Sequence, residues 1–110
     1  AKAASRELVR LTTEERNGAL VAMAEALSGA RDELLEANAR DLEVGRSLGL
    51  SAAMMDRLTL NDARIAAMAQ GVQEVAALPD PVGRILDDRI RPNGLRLQKI
   101  STPIGVVVII

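Results

Sequence analysis

The chain has 110 residues, 48% of them hydrophobic and 26% charged, which suits one soluble domain at most. Its formal net charge of -1, with basic and acidic residues interleaved, argues against nucleic acid or an anionic membrane as a partner. Cysteine, histidine and all aromatic residues are absent. These absences argue against a zinc site, a thiol nucleophile, a histidine base and base stacking, so no metal ligand is predicted.

No stretch of the sequence predicts a membrane-spanning or secreted protein. The apolar run Val106 to Ile110 is far shorter than the ~20 residues that span a bilayer. The first residues also lack the apolar core of a secretory signal. We therefore expect a soluble, cytoplasmic protein with no membrane partner.

The first three-quarters of the chain is predicted to be helical, beginning with a short helix up to Leu11. Thr12 and Glu15 then have the spacing of a capping box, with Thr13 as an alternative cap, and Gly29 suits the end of that second helix. Its inner face is expected to hold four residues at helical spacing: Leu20, Met23, Ala24 and Leu27.

A third helix is predicted to end at Gly49, with Leu35, Ala39 and Leu42 on its inner stripe. Asn38 lies on the same stripe, where a buried amide needs hydrogen-bond partners. Two interpretations stay open for Asn38: a tie to the backbone of a nearby loop, or contact with a ligand.

Two more helices are predicted, one capped by Ser51 and one by Asn61, with Asp62 in the first turn of the latter. The methionines are expected to fill the core, and the acidic residues to lie on solvated faces. The two prolines of LPDPVG end the last helix. The inner stripe of the helix capped by Asn61 is predicted to contain Ile65, Met68, Ala69, Val72 and Ala76.

After these helices, the dipeptide Asn93-Gly94 predicts a hairpin with a two-residue type I′ turn. That turn sets three pairs opposite each other: Ile90 with Leu97, Asp88 with Lys99, and Arg91 with Arg96. The arginine pair is unfavourable, because like charges directly opposite repel. Either the loop is wider than two residues, or an acid from another subunit lies there.

The β-branched run Val106 to Ile110 is typical of a strand in a parallel sheet that helices cover on both faces. Such a strand either pairs with the hairpin in a small α+β domain or belongs to a sheet that continues in residues not present here. No G-x-G-x-x-G follows it, so the pattern alone gives weak support for a nucleotide site. No nucleophile–base pair is visible, and no catalytic residue is predicted.

Three stretches, GLSAAMMDRLTLN, LPDPVG and RPNGL with the later PIGVV, together resemble the N-terminal part of the γ-glutamyl phosphate reductase family. The resemblance runs from about Ala3 to Ile110. It implies an α/β, aldehyde dehydrogenase-like fold in which this chain contributes three segments. They are an N-terminal helical segment (1–83), a β-hairpin of the oligomerisation region (84–102) and the first strand of the NADP-binding domain (103–110).

The same resemblance implies an oxidoreductase of proline biosynthesis that uses NADPH to reduce L-glutamyl 5-phosphate to L-glutamate 5-semialdehyde and phosphate. The family's catalytic cysteine would lie downstream, so this chain would be the N-terminal part of the enzyme. Ile109 and Ile110 would border the cofactor cleft as apolar walls. The hairpin would support a homo-oligomer.

Two other interpretations remain open. A stand-alone helical interaction module, dimerising through its hairpin, requires the isolated chain to unfold cooperatively and to form a defined oligomer. A non-catalytic homologue would keep the fold without the thiol. An enzyme segment should instead be unstable or aggregate alone, because its last strand would be an unprotected apolar edge.

Overall fold

The computed structural model describes residues 2–107, which form five helices and one two-stranded antiparallel sheet. The elements are α1 (Lys2–Leu8), α2 (Thr13–Gly29), α3 (Arg31–Ser47), α4 (Ala52–Leu58), α5 (Asp62–Ala77), β1 (Ile85–Ile90) and β2 (Arg96–Ile100).

The chain divides into two compact units. One is the helical unit, Asn17–Ala77, and the other, the hairpin unit, joins residues 2–16 to residues 78–107. Both strands lie within the predicted segment 84–102. The boundaries predicted at 83 and 102 are domain assignments that stay predictions.

Helix α2 begins with the capping box that the sequence predicts. The Thr12 amide donates to Glu15 Oε2 at 2.7 Å, and the Glu15 amide donates to Thr12 Oγ1 at 3.2 Å. Thr12 is therefore the cap, rather than Thr13. Helix α1 ends at Leu8 instead of the predicted Leu11, because the amide of Leu11 bonds only three residues back, to Leu8.

The core of the helical unit is built mainly from small side chains. Ala24 of α2 and Ile65 and Ala69 of α5 are its buried hydrophobic residues. Small residues let helices approach closely, which leaves longer side chains on the flanks. The prediction that methionines fill the core is therefore wrong for three of them, and Ala39 of the predicted α3 stripe is exposed as well. The three exposed methionines are Met23, Met54 and Met68.

The junction between α3 and α4 depends on two glycines. Gly49 has φ +70° and follows α3, where the Leu50 amide donates to the Gly45 carbonyl at 3.1 Å and the Gly49 amide to the Arg46 carbonyl at 3.0 Å. This is the Schellman motif, which confirms Gly49 as the end of the helix. A Cβ at Gly45 would lie 3.0 Å from Met55 Sδ, so a side chain there would press on α4.

The caps of the next two helices are also confirmed. The Ser51 hydroxyl accepts from the Met54 amide at 3.4 Å, and Asn61 Oδ1 accepts from the Arg64 amide at 2.8 Å. Each cap satisfies one of the backbone donors that a helix leaves free in its first turn. The family-like stretch GLSAAMMDRLTLN thus comprises the short helix α4 together with the helix end before it and the caps on either side.

The predicted hairpin register is wrong by one residue. Strand β1 pairs with β2 so that Ile90 lies opposite Arg96 and Asp88 opposite Gln98. The loop closes through Arg91, whose amide donates to the Leu95 carbonyl at 2.8 Å. Arg91 therefore faces Leu95, and the repulsive arginine pair does not form.

Pro92 explains why the hairpin register differs from the predicted one. A two-residue loop at 93–94 would require the N–H of residue 92 to close it, and Pro92 has none. The chain instead makes a three-residue loop in which the Gly94 amide bonds the Arg91 carbonyl at 2.9 Å and Gly94 has φ +84°. Of the two explanations offered for the arginine clash, the wider loop is confirmed.

Candidate functional site

A half-buried polar cluster lies where the loop after α5 meets the first turn of α2, within the hairpin unit. The Thr13 hydroxyl donates to Asp80 Oδ2 at 2.6 Å, and the Arg16 guanidinium donates to the same oxygen. The Val82 amide donates to Oδ1 at 2.9 Å. Arg16 also donates to the Leu11 carbonyl at 2.5 Å, so its planar fork bridges two segments.

These hydrogen bonds favour the charged carboxylate. The Thr13 hydroxyl, the Val82 amide and the Arg16 guanidinium, in that order, lower the pKa of Asp80 from 3.8 to about 2. Asp80 is therefore ionised throughout the physiological range and acts as an acceptor. Its lowered pKa makes it a weak base, so it is poorly suited to activate the Thr13 hydroxyl beside it.

An apolar cleft of about 370 Å³ adjoins this cluster. Its walls combine side chains from α1, the loop after α5 and the segment that follows β2. They include Leu8, Val9, Val82, Pro103 and Val106, together with Arg6 and Arg16. Such a lining can bind apolar surface, but it holds no carboxylate and no nucleophile–base pair that would perform chemistry.

Asn38, the amide that the sequence singles out, is 5% exposed and ties a loop to α3. Its Nδ2 donates to the Leu58 carbonyl at 2.8 Å, and the Leu60 amide donates to its Oδ1 at 2.8 Å. The side chain thus pairs like a peptide group with the segment between α4 and α5. Of the two interpretations left open, the loop-backbone tie is the one that the structure shows.

The predicted cofactor-wall residues, Ile109 and Ile110, lie outside the described residues. Within residues 103–107, which lead towards them, there is no regular secondary structure. No strand among residues 2–107 passes through a glycine-rich turn into a helix N-terminus, which is where such folds hold dinucleotide phosphates. The described part of the chain therefore does not by itself fit NADPH, and no chemical step is derived through that group.

The described residues provide neither a cluster of metal-ligating side chains nor a membrane-spanning helix. Across residues 2–107, no group of three or more carboxylates is placed to hold a metal ion. Over the same range, every helix is too short or too polar to cross a bilayer.

Sequence reasoning missed the Asp80 cluster, because LPDPVG was interpreted as a helix breaker and as part of the family resemblance, with no role for Asp80. Asp80 stands between Pro79 and Pro81, and its bond to the amide two residues ahead is an Asx turn. A residue before proline is confined to extended conformations, so the local turn could have been predicted. The pairing with Arg16, 64 residues away along the chain, leaves no comparable local signal.

Comparison with known proteins gives consistent matches. No protein-family model matches the chain. The chain is 53% identical, over all its 110 residues, to the γ-glutamyl phosphate reductase of Syntrophomonas wolfei subsp. wolfei, and it covers 26% of that protein.

Two crystal structures with similar folds are γ-glutamyl phosphate reductases as well. The one from Thermotoga maritima has a TM-score of 0.85 and 40% identity, covering 90% of this chain and 24% of its own. The one from Saccharomyces cerevisiae has a TM-score of 0.86 and 33% identity, covering 94% of this chain and 26% of its own.

These matches confirm the resemblance found in the sequence and the aldehyde dehydrogenase-like fold that it implies. The chain is similar in sequence and in fold to γ-glutamyl phosphate reductases, and it spans about a quarter of the length of the relatives it matches.

Proposed function

We propose that the chain is part of a cytoplasmic, NADPH-dependent reductase that converts L-glutamyl 5-phosphate into L-glutamate 5-semialdehyde and phosphate in proline biosynthesis. The observation that carries this proposal is the 53% identity to a γ-glutamyl phosphate reductase over the whole chain. The two crystal structures of similarly named proteins support it.

The described residues contribute structure to that function. The stretches that carry the family resemblance make helix caps, a Schellman motif, the Asp80 cluster and the hairpin loop. None of these places a nucleophile beside a base. We infer that catalysis belongs to the rest of the reductase, with this segment supporting its fold.

The test of the activity uses the full-length protein in the reverse direction. With glutamate 5-semialdehyde, phosphate and NADP⁺, we expect NADPH absorbance to rise, and omitting phosphate should abolish the rise. NAD⁺ in place of NADP⁺ gives the cofactor preference. A folded full-length protein without phosphate-dependent reduction would contradict the proposal and would favour the non-catalytic homologue.

We also propose that the hairpin forms a contact between subunits of a homo-oligomer. Every residue of β1 is exposed, and so is β2 apart from Leu97. Isolated two-stranded hairpins are marginal in water, so the apolar side chains on these strands favour a covering partner. They include Ile85, Leu86, Ile90 and Ile100.

The matched test compares two exposed apolar residues. Ile90 in the hairpin is 73% exposed, and Leu48 after α3 is 72% exposed. Ile90→Lys should reduce the mass of the full-length protein in light scattering, whereas Leu48→Lys should leave it unchanged. An unchanged mass with Ile90→Lys would contradict the hairpin contact.

Charge reversal at Arg96 would not test that contact. Asp88 on the neighbouring strand accepts from Arg96 Nε at 2.9 Å and from its terminal nitrogen at 2.5 Å. This bidentate pair neutralises Arg96 within its own hairpin. An acid from another subunit is therefore not needed there. The stand-alone module is not favoured, because the chain matches its relatives as a segment.

A further inference from the structure

Asp80 lies at the start of a chain of hydrogen bonds that reaches the exit of the hairpin. On one side, its carboxylate accepts from Thr13 and Arg16 in the first turn of α2. On the other side, the loop that follows Asp80 is bonded to Ser101, the residue directly after β2. Asp80 thus stands between two elements that are remote in sequence.

Ser101 is hydrogen-bonded to the loop through both its hydroxyl and its backbone. Its hydroxyl donates to the Pro81 carbonyl, its amide donates to the Arg84 carbonyl at 3.0 Å, and its own carbonyl accepts from the Gly83 amide at 2.9 Å. The residues between Asp80 and Arg84 are therefore fixed at both ends. Whatever orders Asp80 also orders Ser101.

The loop is suited to transmit that constraint. Pro79 and Pro81 flank Asp80, and each proline ring locks its own φ near −65°. The Asx turn from Asp80 to Val82 removes further freedom from the following residues. With residues 79–82 restricted in this way, a change at the carboxylate reaches Gly83, whose amide donates to the Ser101 carbonyl.

Ser101 is also the point from which the segment 102–107 departs. Three residues of that segment, Pro103, Gly105 and Val106, line the cleft beside Arg16. We propose that Asp80 is a conformational latch, which holds the loop 80–84 and, through Ser101, the start of the segment 102–107 on the first turn of α2. This role goes beyond the proposed reductase function.

The latch is tested by hydrogen exchange on the full-length protein, followed by mass spectrometry of peptides. Asp80→Asn keeps an oxygen for the Val82 amide but removes the charge that Arg16 and Thr13 bind. We expect exchange at the Gly83 and Ser101 amides to become at least about tenfold faster, since each lies one step beyond the weakened contact.

The controls separate a latch from a general loss of stability. Asp41→Asn changes an exposed carboxylate on α3 and should leave all rates as in the unmodified protein. Peptides of the helical unit, Asn17–Ala77, should keep their rates in the Asp80→Asn protein. Uniformly faster exchange across that unit would overturn the latch, and so would unchanged exchange at Gly83 and Ser101.

A second variant keeps the test decisive if Asp80→Asn fails to fold. Arg16→Lys retains the charge but loses the fork that joins Asp80 to the Leu11 carbonyl. The latch predicts an intermediate increase at Gly83 and Ser101, between that of the unmodified protein and that of Arg16→Ala. Equal exchange in the lysine and alanine variants and the unmodified protein would overturn it.

Discussion

Different interactions organise the helical unit and the hairpin unit. All buried residues among positions 2–107 lie in the helical unit, Asn17–Ala77, which contains the buried Ala24, Ile65 and Ala69 and the hydrogen-bonded Asn38. The hairpin unit contains no buried residue within its described positions. It is organised by polar ties around Asp80 and by the pairing of β1 with β2.

This difference indicates which part can be stable through its own packing. Apolar burial is the main favourable contribution to folding, and the helical unit has some of it. Polar ties contribute little net stability each, even where they are half-buried, so we expect the hairpin unit to depend on surfaces outside these residues. We therefore expect any instability of the isolated chain to arise in the hairpin unit, while the helical unit still unfolds as one body.

The largest expected effect contrasts one isoleucine from each unit. Ile65→Ala removes a side chain that is 2% exposed and should lower the free energy of unfolding of the 110-residue chain by about 2–5 kcal/mol. Ile90→Ala should change it by no more than about 0.5 kcal/mol. Urea unfolding followed by circular dichroism measures both. Equal losses would mean that the hairpin is packed in the isolated chain.

The next effect concerns the bonded amide of the helical unit. Asn38→Ala leaves the Leu58 carbonyl and the Leu60 amide without their partner, which should cost about 1–3 kcal/mol. Gln73→Ala, at an exposed amide on α5, is the matched control and should be nearly neutral. The same urea titration decides. If the two variants were equally stable, the segment between α4 and α5 would not depend on Asn38.

A smaller effect, with opposite signs at two glycines, tests the local backbone. Gly49→Ala places a Cβ at φ +70° and should cost about 1 kcal/mol. Gly18→Ala, inside α2, meets no heavy atom within 4 Å and should add about 0.5–1 kcal/mol of stability. Thermal unfolding midpoints should move down for Gly49 and up for Gly18. Movement in the same direction would contradict the assigned helix end.

The smallest effect is the pH dependence of the hairpin unit. The pKa of Asp80 is lowered from 3.8 to about 2 by Thr13, Val82 and Arg16, so its carboxylate stabilises the folded state above pH 3.8. That contribution should be lost as the pH falls from 3.8 towards 2. The difference in unfolding free energy between the unmodified and Asp80→Asn proteins should shrink over that range. A constant difference would mean that the charge of Asp80 is not involved.

Local rules predicted most of the helix ends. The capping box at Thr12, the caps at Ser51 and Asn61 and the stop at Gly49 each depend on residues a few positions apart, and all four were found. The stripes were less accurate. Periodicity identifies a helix face, but it cannot tell whether the described residues cover that face, so Met23 and Met68 are exposed.

Features that join distant residues were missed or misplaced. The hairpin register was wrong because the Asn-Gly signal was weighed without the missing N–H of Pro92. The Asp80–Arg16 pair has no signature in the intervening sequence, since it depends on how the chain folds back. The predicted cofactor walls, Ile109 and Ile110, lie outside the described residues and remain predictions.

The central claim is that the helical unit packs on its own, whereas the hairpin is ordered by surfaces beyond these residues. Hydrogen exchange of the isolated 110-residue chain, compared peptide by peptide with the full-length protein, tests it most directly. We expect peptides of α2, α3 and α5 to keep most of their protection in the isolated chain and peptides of β1 and β2 to lose it. Equal protection of β1 and β2 in both proteins would contradict the claim.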